Sequence, residues 1–267
     1  SGVITVTAPN TSTDRTITLP DGTGTLSFGS STADIRSAAT LQITADDNIG
    51  LGTNAVNSIT TGDYNLGFGL NAGTAITEGT NNIGIGADSL FVNNTGSHNT
   101  SVGTNSMRAN TTGSDNVAVG KDALKNNIGG IDNIAIGSLA MQSNTTASGN
   151  VGIGEGTLGT VTTNSGNTAV GHRASASTTG ANNTSVGHNA LITNQGGSNI
   201  TAIGKRAGFN VTSGRRNTAV GAYADNTITT GEDNTAIGYG AGHSAVNVNN
   251  EFTLGDSSVT NLRCNDT

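Results

Sequence analysis

The sequence of 267 residues has little of what most globular enzymes are built from. It contains one cysteine, Cys264, which excludes a disulfide framework and a cysteine-based metal cage. Two prolines, no tryptophan and 3% aromatic residues exclude a proline-rich linker and one large aromatic core. No stretch approaches about 18 consecutive apolar residues, and Ser1 to Thr7 lacks the basic and apolar blocks of a signal peptide. We therefore expect no membrane insertion.

Charge is also scarce, since only 11% of the residues are charged and the formal net charge is -7. An acidic balance of this size argues against bulk nucleic-acid binding, and it is too small for a self-repelling disordered chain. Leu, Ile, Val and Phe fill 53 of the 267 positions, near the lower limit for building a core. A stable fold must therefore spread a thin core along its length, which is typical of repeat architectures.

What the chain has in abundance is 40 Gly, 35 Asn and 43 Thr, and they recur in a repeat. Each unit reads Asn, then alternating apolar and small residues, then a closing Gly, as in Asn116-Val-Ala-Val-Gly120. Eleven of the twelve intervals between closing glycines are 17 residues long, and the interval from Gly171 to Gly187 is 16. The thirteen closing glycines are Gly52, Gly69, Gly86, Gly103, Gly120, Gly137, Gly154, Gly171, Gly187, Gly204, Gly221, Gly238 and Gly255.

The alternation within each unit predicts a short strand. The residue before the closing Gly is always apolar, and we expect it to face the core of the coil. The residue two before the Gly is always small, and we expect that face to pack against identical chains.

A second short strand is predicted near Ala123-Leu124 and Ala190-Leu191, and the asparagines are expected to form amide ladders. The fold class is an all-β parallel β-solenoid of about thirteen coils, a rod on the order of 60 Å long.

Units such as Asn217-Thr-Ala-Val-Gly221-Ala-Tyr-Ala224 resemble the head repeats of trimeric autotransporter adhesins. The resemblance covers about residues 48–255, although the repeat here is a few residues longer. It implies a left-handed β-roll and a homotrimer.

The ends of the chain are similar to bacteriophage tail fibres. Val3 to Thr7 and Arg15 to Leu26 resemble β-rich fibre segments, and Glu251 to Thr267 resembles the sequence before a self-cleaving intramolecular chaperone domain of fibres and tailspikes. The resemblance implies three regions. They are a connector at 1–47 that contacts other tail proteins, the solenoid at 48–255, and a tail at 256–267 that precedes a removed chaperone domain.

No pattern in the sequence predicts catalysis, a metal or a cofactor. Asp88 and Asp122 share a repeat position two coils apart, but Asn105 stands between them and no aromatic platform accompanies them. The four histidines do not have zinc-ligand spacing, and the lone cysteine has no base nearby in sequence. We therefore expect a protein that is not an enzyme.

Positive charge is concentrated in one part of the repeat array. Five of the eleven Lys and Arg residues lie between 173 and 216, next to histidines and tyrosines, and cations beside aromatic rings suit an anionic surface glycan. The alternative is a solvated face, or ion pairs between subunits that involve Asp225, Glu232 and Asp233. The candidate receptor-binding residues are His172, Arg173, His188, Lys205, Arg206, Arg215, Arg216, Tyr223 and Tyr239.

The resemblances and the charge pattern together predict a structural, receptor-binding rod of a phage tail fibre, part of the virion and made in the host cytoplasm. Its partner would be a bacterial cell-surface polysaccharide or another surface receptor. The alternative is the head of a bacterial trimeric adhesin at the cell surface. A third class, ice binding, would use threonine pairs such as Thr111-Thr112 and Thr229-Thr230, but these lie beside turn glycines and are absent from several coils.

Overall fold

A computed structural model of the protein describes residues 47–261 and the backbone of three short segments, 4–6, 15–17 and 41–43. The first two segments are strands β1 (Ile4–Val6) and β2 (Arg15–Ile17), which form an antiparallel pair. The third is β3 (Leu41–Ile43), which pairs antiparallel with β4. The predicted tail lies in the described part as far as residue 261.

The repeat array forms thirteen three-residue strands in one sheet. Each strand pairs in parallel with the next one along the chain. They are β4 (Ile49–Leu51), β5 (Leu66–Phe68), β6 (Ile83–Ile85), β7 (Thr100–Val102), β8 (Val117–Val119), β9 (Ile134–Ile136), β10 (Val151–Ile153), β11 (Thr168–Val170), β12 (Thr184–Val186), β13 (Thr201–Ile203), β14 (Thr218–Val220), β15 (Thr235–Ile237) and β16 (Phe252–Leu254). The parallel β-solenoid predicted from the 17-residue spacing is confirmed.

The strands stack in strict register, so equivalent residues of successive repeats form columns along the rod. Val117 pairs with Ile134, and Val119 pairs with Ile136. Even the 16-residue coil keeps the register, since Thr168 pairs with Thr184. At the usual strand spacing, the thirteen strands extend over about 58 Å.

The small residues of each strand, not the apolar ones, face the interior of the coil, which is the opposite of the expected arrangement. The small middle residues Ala118 and Ala135 are fully buried, whereas the apolar residues Val119 and Ile136 are 36% and 38% exposed. The expectation that the apolar column lies inside each coil and the small column outside is therefore wrong. Small residues are needed inside because the returning chain comes very close, so that a Cβ added at Gly67 would lie 2.6 Å from the Ala72 carbonyl oxygen.

The predicted second strand is also wrong, because the chain returns through turns. In the coil that closes at Gly120, Asp122 and Leu124 have φ angles of 57° and 48°. Two left-handed residues within three positions curl the backbone, and an extended strand cannot form there. The sheet is therefore opposed by a layer of stacked turns.

The core of each coil lies between the sheet and these turns and contains about one large apolar side chain. In most coils it is the fourth residue after the closing Gly, as with Leu90, Leu124 and Leu158, all fully buried. Where the fourth residue is a glycine, the seventh residue fills the space, and Ile76 and Val211 do so. Each of these side chains contributes roughly 1.5–3 kcal/mol by burial, so no coil is stable alone.

A ladder of buried asparagines runs along the start of the strands. Asn116 is typical, since its Nδ2 donates to the Gly130 carbonyl at 2.8 Å and to Asn99 Oδ1 at 3.1 Å. Its own Oδ1 accepts the backbone N–H of Asn133 at 3.0 Å. The amide ladder predicted from the repeat is confirmed, and within the described repeats another residue takes this position only at Ile200 and Glu251.

A second, shorter ladder was not anticipated from the sequence. Asn93, Asn110, Asn127 and Asn144 are fully buried, and each Nδ2 after the first donates to the Oδ1 of the preceding asparagine at 2.7 Å. These asparagines are the seventh residue after the closing Gly, in coils whose fourth residue after that Gly is Leu or Met. The polar ladder and the apolar column therefore run side by side in the same coils.

We predict that Gly120→Ala destabilises the solenoid by about 3 kcal/mol or more. Gly120 has a φ of 134°, which side chains with a Cβ rarely adopt, and its added Cβ would lie 2.6 Å from the backbone of Gly137. Gly196→Ala is the control, because the new Cβ would meet nothing within 4 Å. Urea denaturation measures the difference, and equal stability of the two variants would contradict the assigned role of the closing glycines.

We also predict that Asn116→Ala destabilises the protein by about 3 kcal/mol. It removes the partner of the Gly130 carbonyl and of the Asn133 N–H, both in a buried setting. Asn126→Ala is the matched control, because Asn126 is exposed. The same denaturation experiment compares the two, and a cost below about 0.5 kcal/mol for Asn116→Ala would show that the ladder contributes little.

Candidate surface-binding site

Residues one and two positions after the closing glycines line one long edge of the sheet, here called the turn edge. Because all thirteen strands are parallel and in register, their carboxyl ends meet along this edge. The first column contains His172, His188, Lys205 and Tyr239, and the second contains Arg173, Arg206 and Tyr223. Seven of the nine residues predicted for receptor binding therefore share one edge.

Cations and aromatic rings contact each other at the centre of this group. The Arg206 guanidinium carbon lies 4.0 Å from the centroid of the Phe209 ring and 5.8 Å from that of Tyr223. Lys205 Nζ lies 5.6 Å from the Tyr223 ring, which meets Tyr239 edge-on at 5.8 Å. Cation–π contacts at partly exposed positions contribute about 0.5–1 kcal/mol each and hold the side chains in fixed directions.

The two histidines extend the group along the rod. The rings of His172 and His188 are stacked, with centroids 5.2 Å apart and an angle of 15° between their planes. Both side chains are exposed, as is Tyr239. A flat run of rings and cations is thus accessible to a ligand along the turn edge.

In the described coils, the three strong cations of this group form no ion pair, and the acids of the same edge lie in coils before or after the group, at Asp88, Asp122, Glu155 and Asp256. Among residues 47–261, no ion pair involves Arg173, Lys205 or Arg206. The Nε of Arg206 is buried and has no hydrogen-bond partner. Positive charge without a counter-charge attracts anions, and the surrounding rings suit the apolar faces of sugars.

Arg215 and Arg216 do not belong to this group, so the predicted cluster does not form one continuous surface. They come just before Asn217 and β14, at the amino ends of the strands and hence at the opposite edge of the sheet. Arg216 is also occupied, because its Nε donates to Asp233 at 2.6 Å and its NH2 group donates to Glu232 at 2.8 Å. The hydrogen bond and charge of Arg216 hold the pKa of Asp233 below its ordinary value. Arg216 therefore pairs with Glu232 and Asp233 of its own chain, whereas the alternative interpretation expected pairs between subunits.

One member of the group was missed in the sequence. Phe209 packs its ring against the Arg206 guanidinium group, and the signal in the sequence was an aromatic residue three positions after an arginine in the same turn.

The carboxylates considered for catalysis belong to hydrogen-bonded stacks. Asp88 accepts a hydrogen bond from Asn71, and Asp122 accepts one from Asn105 at 3.1 Å. Although partial burial acts in the opposite direction, the bonds from Asn105 and Lys125 lower the pKa of Asp122. A general acid for glycoside hydrolysis needs a raised pKa, so Asp122 does not suit that role.

The threonine pairs considered for ice binding are used to join the coils. The hydroxyls of Thr60, Thr111, Thr145 and Thr229 donate to carbonyl oxygens of the next coil at 3.0–3.2 Å. Their hydroxyl groups are thus not all free for a regular array that faces water.

In the described ranges, no group of three or more His, Cys, Asp or Glu side chains is placed to hold a metal ion. The same ranges contain no helix that is long and apolar enough to cross a membrane. No known protein family matches this chain, and no match is found among curated proteins or solved structures.

Proposed function

We propose that the protein is the trimeric shaft of a bacteriophage tail fibre and attaches the virion to a polysaccharide on the bacterial surface. The observation that carries this proposal is the outer face of the sheet, here called the apolar face. It consists of the first and third residues of strands β4 to β16, and all 26 of them are Val, Ile, Leu, Phe or Thr. An exposed face of this length that carries no charged residue is typical of a surface that another protein covers.

The size of the apolar face agrees with an interface. It is about 58 Å long and roughly 10 Å wide, an area on the order of 600 Å². Its side chains are well exposed in the single chain, with Phe68 at 50%, Ile203 at 40% and Ile237 at 39%. The largest apolar patch on a typical soluble monomer is about 300–600 Å², and a specific interface buries at least about 500 Å² on each partner, so the apolar face is large enough to form one.

Identical chains are the partner that fits this face. A straight strip with the same repeat along its whole length matches another copy of itself around an axis parallel to the rod, in agreement with the cyclic symmetry of most oligomers. The number three comes from the resemblance of the repeats to the heads of trimeric adhesins. Burial of the apolar face between copies would supply the large core that each coil lacks.

Such an assembly leaves both edges of each sheet accessible. The turn edge, with Lys205, Arg206, Tyr223 and Tyr239, would then be present three times around the rod. Weak contacts with an anionic polysaccharide add up through avidity when the same site is repeated on one rigid body. The connector at 1–47 would join the rod to other tail proteins.

The alternative is the head of a bacterial trimeric autotransporter adhesin, which would use the same apolar face for assembly. A coiled-coil stalk and a membrane anchor encoded in the same gene would favour the adhesin. A self-cleaving chaperone domain encoded after Thr267 would favour the tail fibre. The reading frame of the full gene therefore distinguishes the two.

We predict that Ile136→Lys prevents assembly, because three lysine charges would be buried together against apolar side chains. Sedimentation of the wild-type protein should give three times the mass of one chain, and the variant should give a smaller species. Ile128→Lys is the matched control, since Ile128 is 48% exposed but does not belong to the apolar face. A wild-type protein that sediments as a folded monomer would refute the proposed assembly.

We predict that simultaneous replacement of Arg173, Lys205 and Arg206 by Gln weakens binding to host cells or purified surface glycan at least about tenfold. Wild-type binding should also weaken with added salt, as screened charges do. The matched control replaces Arg108, Lys125 and Arg215 by Gln, the same charge change outside the group that extends from His172 to Tyr239. Undiminished binding by a correctly assembled turn-edge variant, or an equal loss in the control, would place the receptor site elsewhere.

A further inference from the structure

The charge of the turn edge changes along the rod and marks out a segment of definite length. In the first column, Glu155 comes one coil before His172, and Asp256 comes one coil after Tyr239. Between these two acids, the first and second columns contain Lys and Arg but neither Asp nor Glu. The five coils from His172 to Tyr239 extend over about 19 Å at the usual strand spacing.

Negative charge stands at both ends of this segment. Asp256 Oδ1 accepts hydrogen bonds from the hydroxyl and the backbone N–H of Ser258 at 2.5 and 2.9 Å, and these bonds lower the pKa of Asp256. A Cβ added at Gly240 would lie 3.7 Å from Asp256 Oδ2, so the carboxylate lies beside the last coil of the segment. Glu155 is exposed at the other end. An anionic ligand that extends beyond either end would therefore meet a charge of its own sign.

Within the segment, the strong cations lie at two levels that are not adjacent. Arg173 belongs to the first coil, and Lys205 and Arg206 belong to the third. The coil between them has His188 and Asn189 at the same positions. The coils are stacked directly, since the backbone N–H of Arg206 donates to the His188 carbonyl at 3.0 Å. The two cationic levels are therefore about 9.6 Å apart along the rod.

The arginine side chains at the two levels lean away from each other. The stem of Arg173 leans toward the preceding coil, since a Cβ added at Gly156 would lie 3.7 Å from Arg173 Cγ. The Arg206 guanidinium contacts the rings of Phe209 and Tyr223, and Tyr223 belongs to the following coil. One acidic group therefore cannot contact both arginines, and each level needs an acidic group of its own.

A linear polysaccharide is the kind of ligand that fits two separate cationic levels with aromatic rings around them. An extended disaccharide is comparable in length with two coils, so acidic groups on alternate sugars would meet the two levels. The stacked rings of His172 and His188 and the exposed ring of Tyr239 present apolar faces on which sugar rings pack. A compact anion such as phosphate would contact one level and leave the other without a partner.

We propose that the turn edge of each subunit binds a linear oligosaccharide of about four sugars that lies parallel to the rod axis and carries acidic groups on alternate sugars. Arg173 holds one acidic group, Lys205 and Arg206 hold the next, and the sugar between them lies over His188. This inference rests on the proposed function, because it specifies the ligand of the receptor site proposed above.

The first test measures the affinity of the wild-type protein for defined oligosaccharides by calorimetry. The ligands are a disaccharide, a tetrasaccharide and a hexasaccharide in which glucuronic acid alternates with N-acetylglucosamine. The tetrasaccharide, with two acidic groups, should bind at least about tenfold more tightly than the disaccharide, which has one. The hexasaccharide should gain less than about threefold more, because Glu155 and Asp256 repel a longer chain. Equal affinity of the disaccharide and the tetrasaccharide, or a further gain of about tenfold for the hexasaccharide, overturns the proposal.

An exchange of two residues tests the spacing of the cations at constant charge. Arg173→Asn combined with Asn189→Arg exchanges residues of nearly equal backbone angle, with φ of 54° and 56°, and moves the first cation next to the second level. Affinity for the alternating tetrasaccharide should fall at least about fivefold. A tetrasaccharide of galacturonic acid, with an acid on every sugar, should bind this variant at least as tightly as the wild type. The control, Ser198→Arg combined with Arg215→Ser on the opposite edge, should change neither affinity.

The outcomes separate this inference from the proposed function. Unchanged affinity of the exchange variant for the alternating tetrasaccharide would refute the spacing, and if this variant does not assemble, the length series in the wild type decides. Failure of all three alternating ligands to bind would also refute the inference. The proposed function would survive that result if adsorption to host cells still depends on Arg173, Lys205 and Arg206, and would fail with it if adsorption does not.

Discussion

Stacking of one coil on the next is the interaction on which the whole structure depends. A single coil buries about one large side chain, so it gains too little from the hydrophobic effect to remain folded by itself. Backbone hydrogen bonds between equivalent residues, the buried asparagine ladders and the column of apolar residues all run along the rod axis. Each coil is therefore a template for its neighbour, and the 16-residue coil shows that the register is kept even where the repeat is shorter.

The unusual composition is a consequence of this stacking. Close approach of identical backbones leaves no room for a Cβ at the closing glycine, since the next glycine lies directly below it. Three further positions in most coils have left-handed backbone, including the residue just before the ladder asparagine, such as Asp115 and Asp132. Asn, Asp and Gly tolerate this conformation best and fill most places at two of these positions, whereas the third carries buried apolar side chains such as Leu90 and Leu124. Much of the Gly and Asn content therefore follows from geometry.

The three surfaces of the rod are left with different chemistry. The apolar face has no charge, the turn edge carries cations and rings without ion pairs in the coils from His172 to Tyr239, and the opposite edge pairs Arg216 with two acids of the same chain. Under the proposed assembly, the face that lacks charge is hidden and the edges that carry it are displayed. The pair formed by Asp225 and His243 is different again, because it places two titratable side chains inside the stack.

The sequence by itself determined the repeat, the solenoid, the positions of the strands and the asparagine ladder, because all of these follow from a period that can be counted. It also identified most residues of the turn edge, since equal positions in a register-locked repeat must form columns. Alternation showed that small and apolar residues point in opposite directions, but it could not tell which direction is inward. The distance between the strand and the returning chain decided that, as it did the separation of Arg215 and Arg216 from Lys205 and Arg206. Both features depend on how each coil closes in space. The left-handed residues of the turns determine this closure, and their backbone angles cannot be read from a pattern of hydrophobicity.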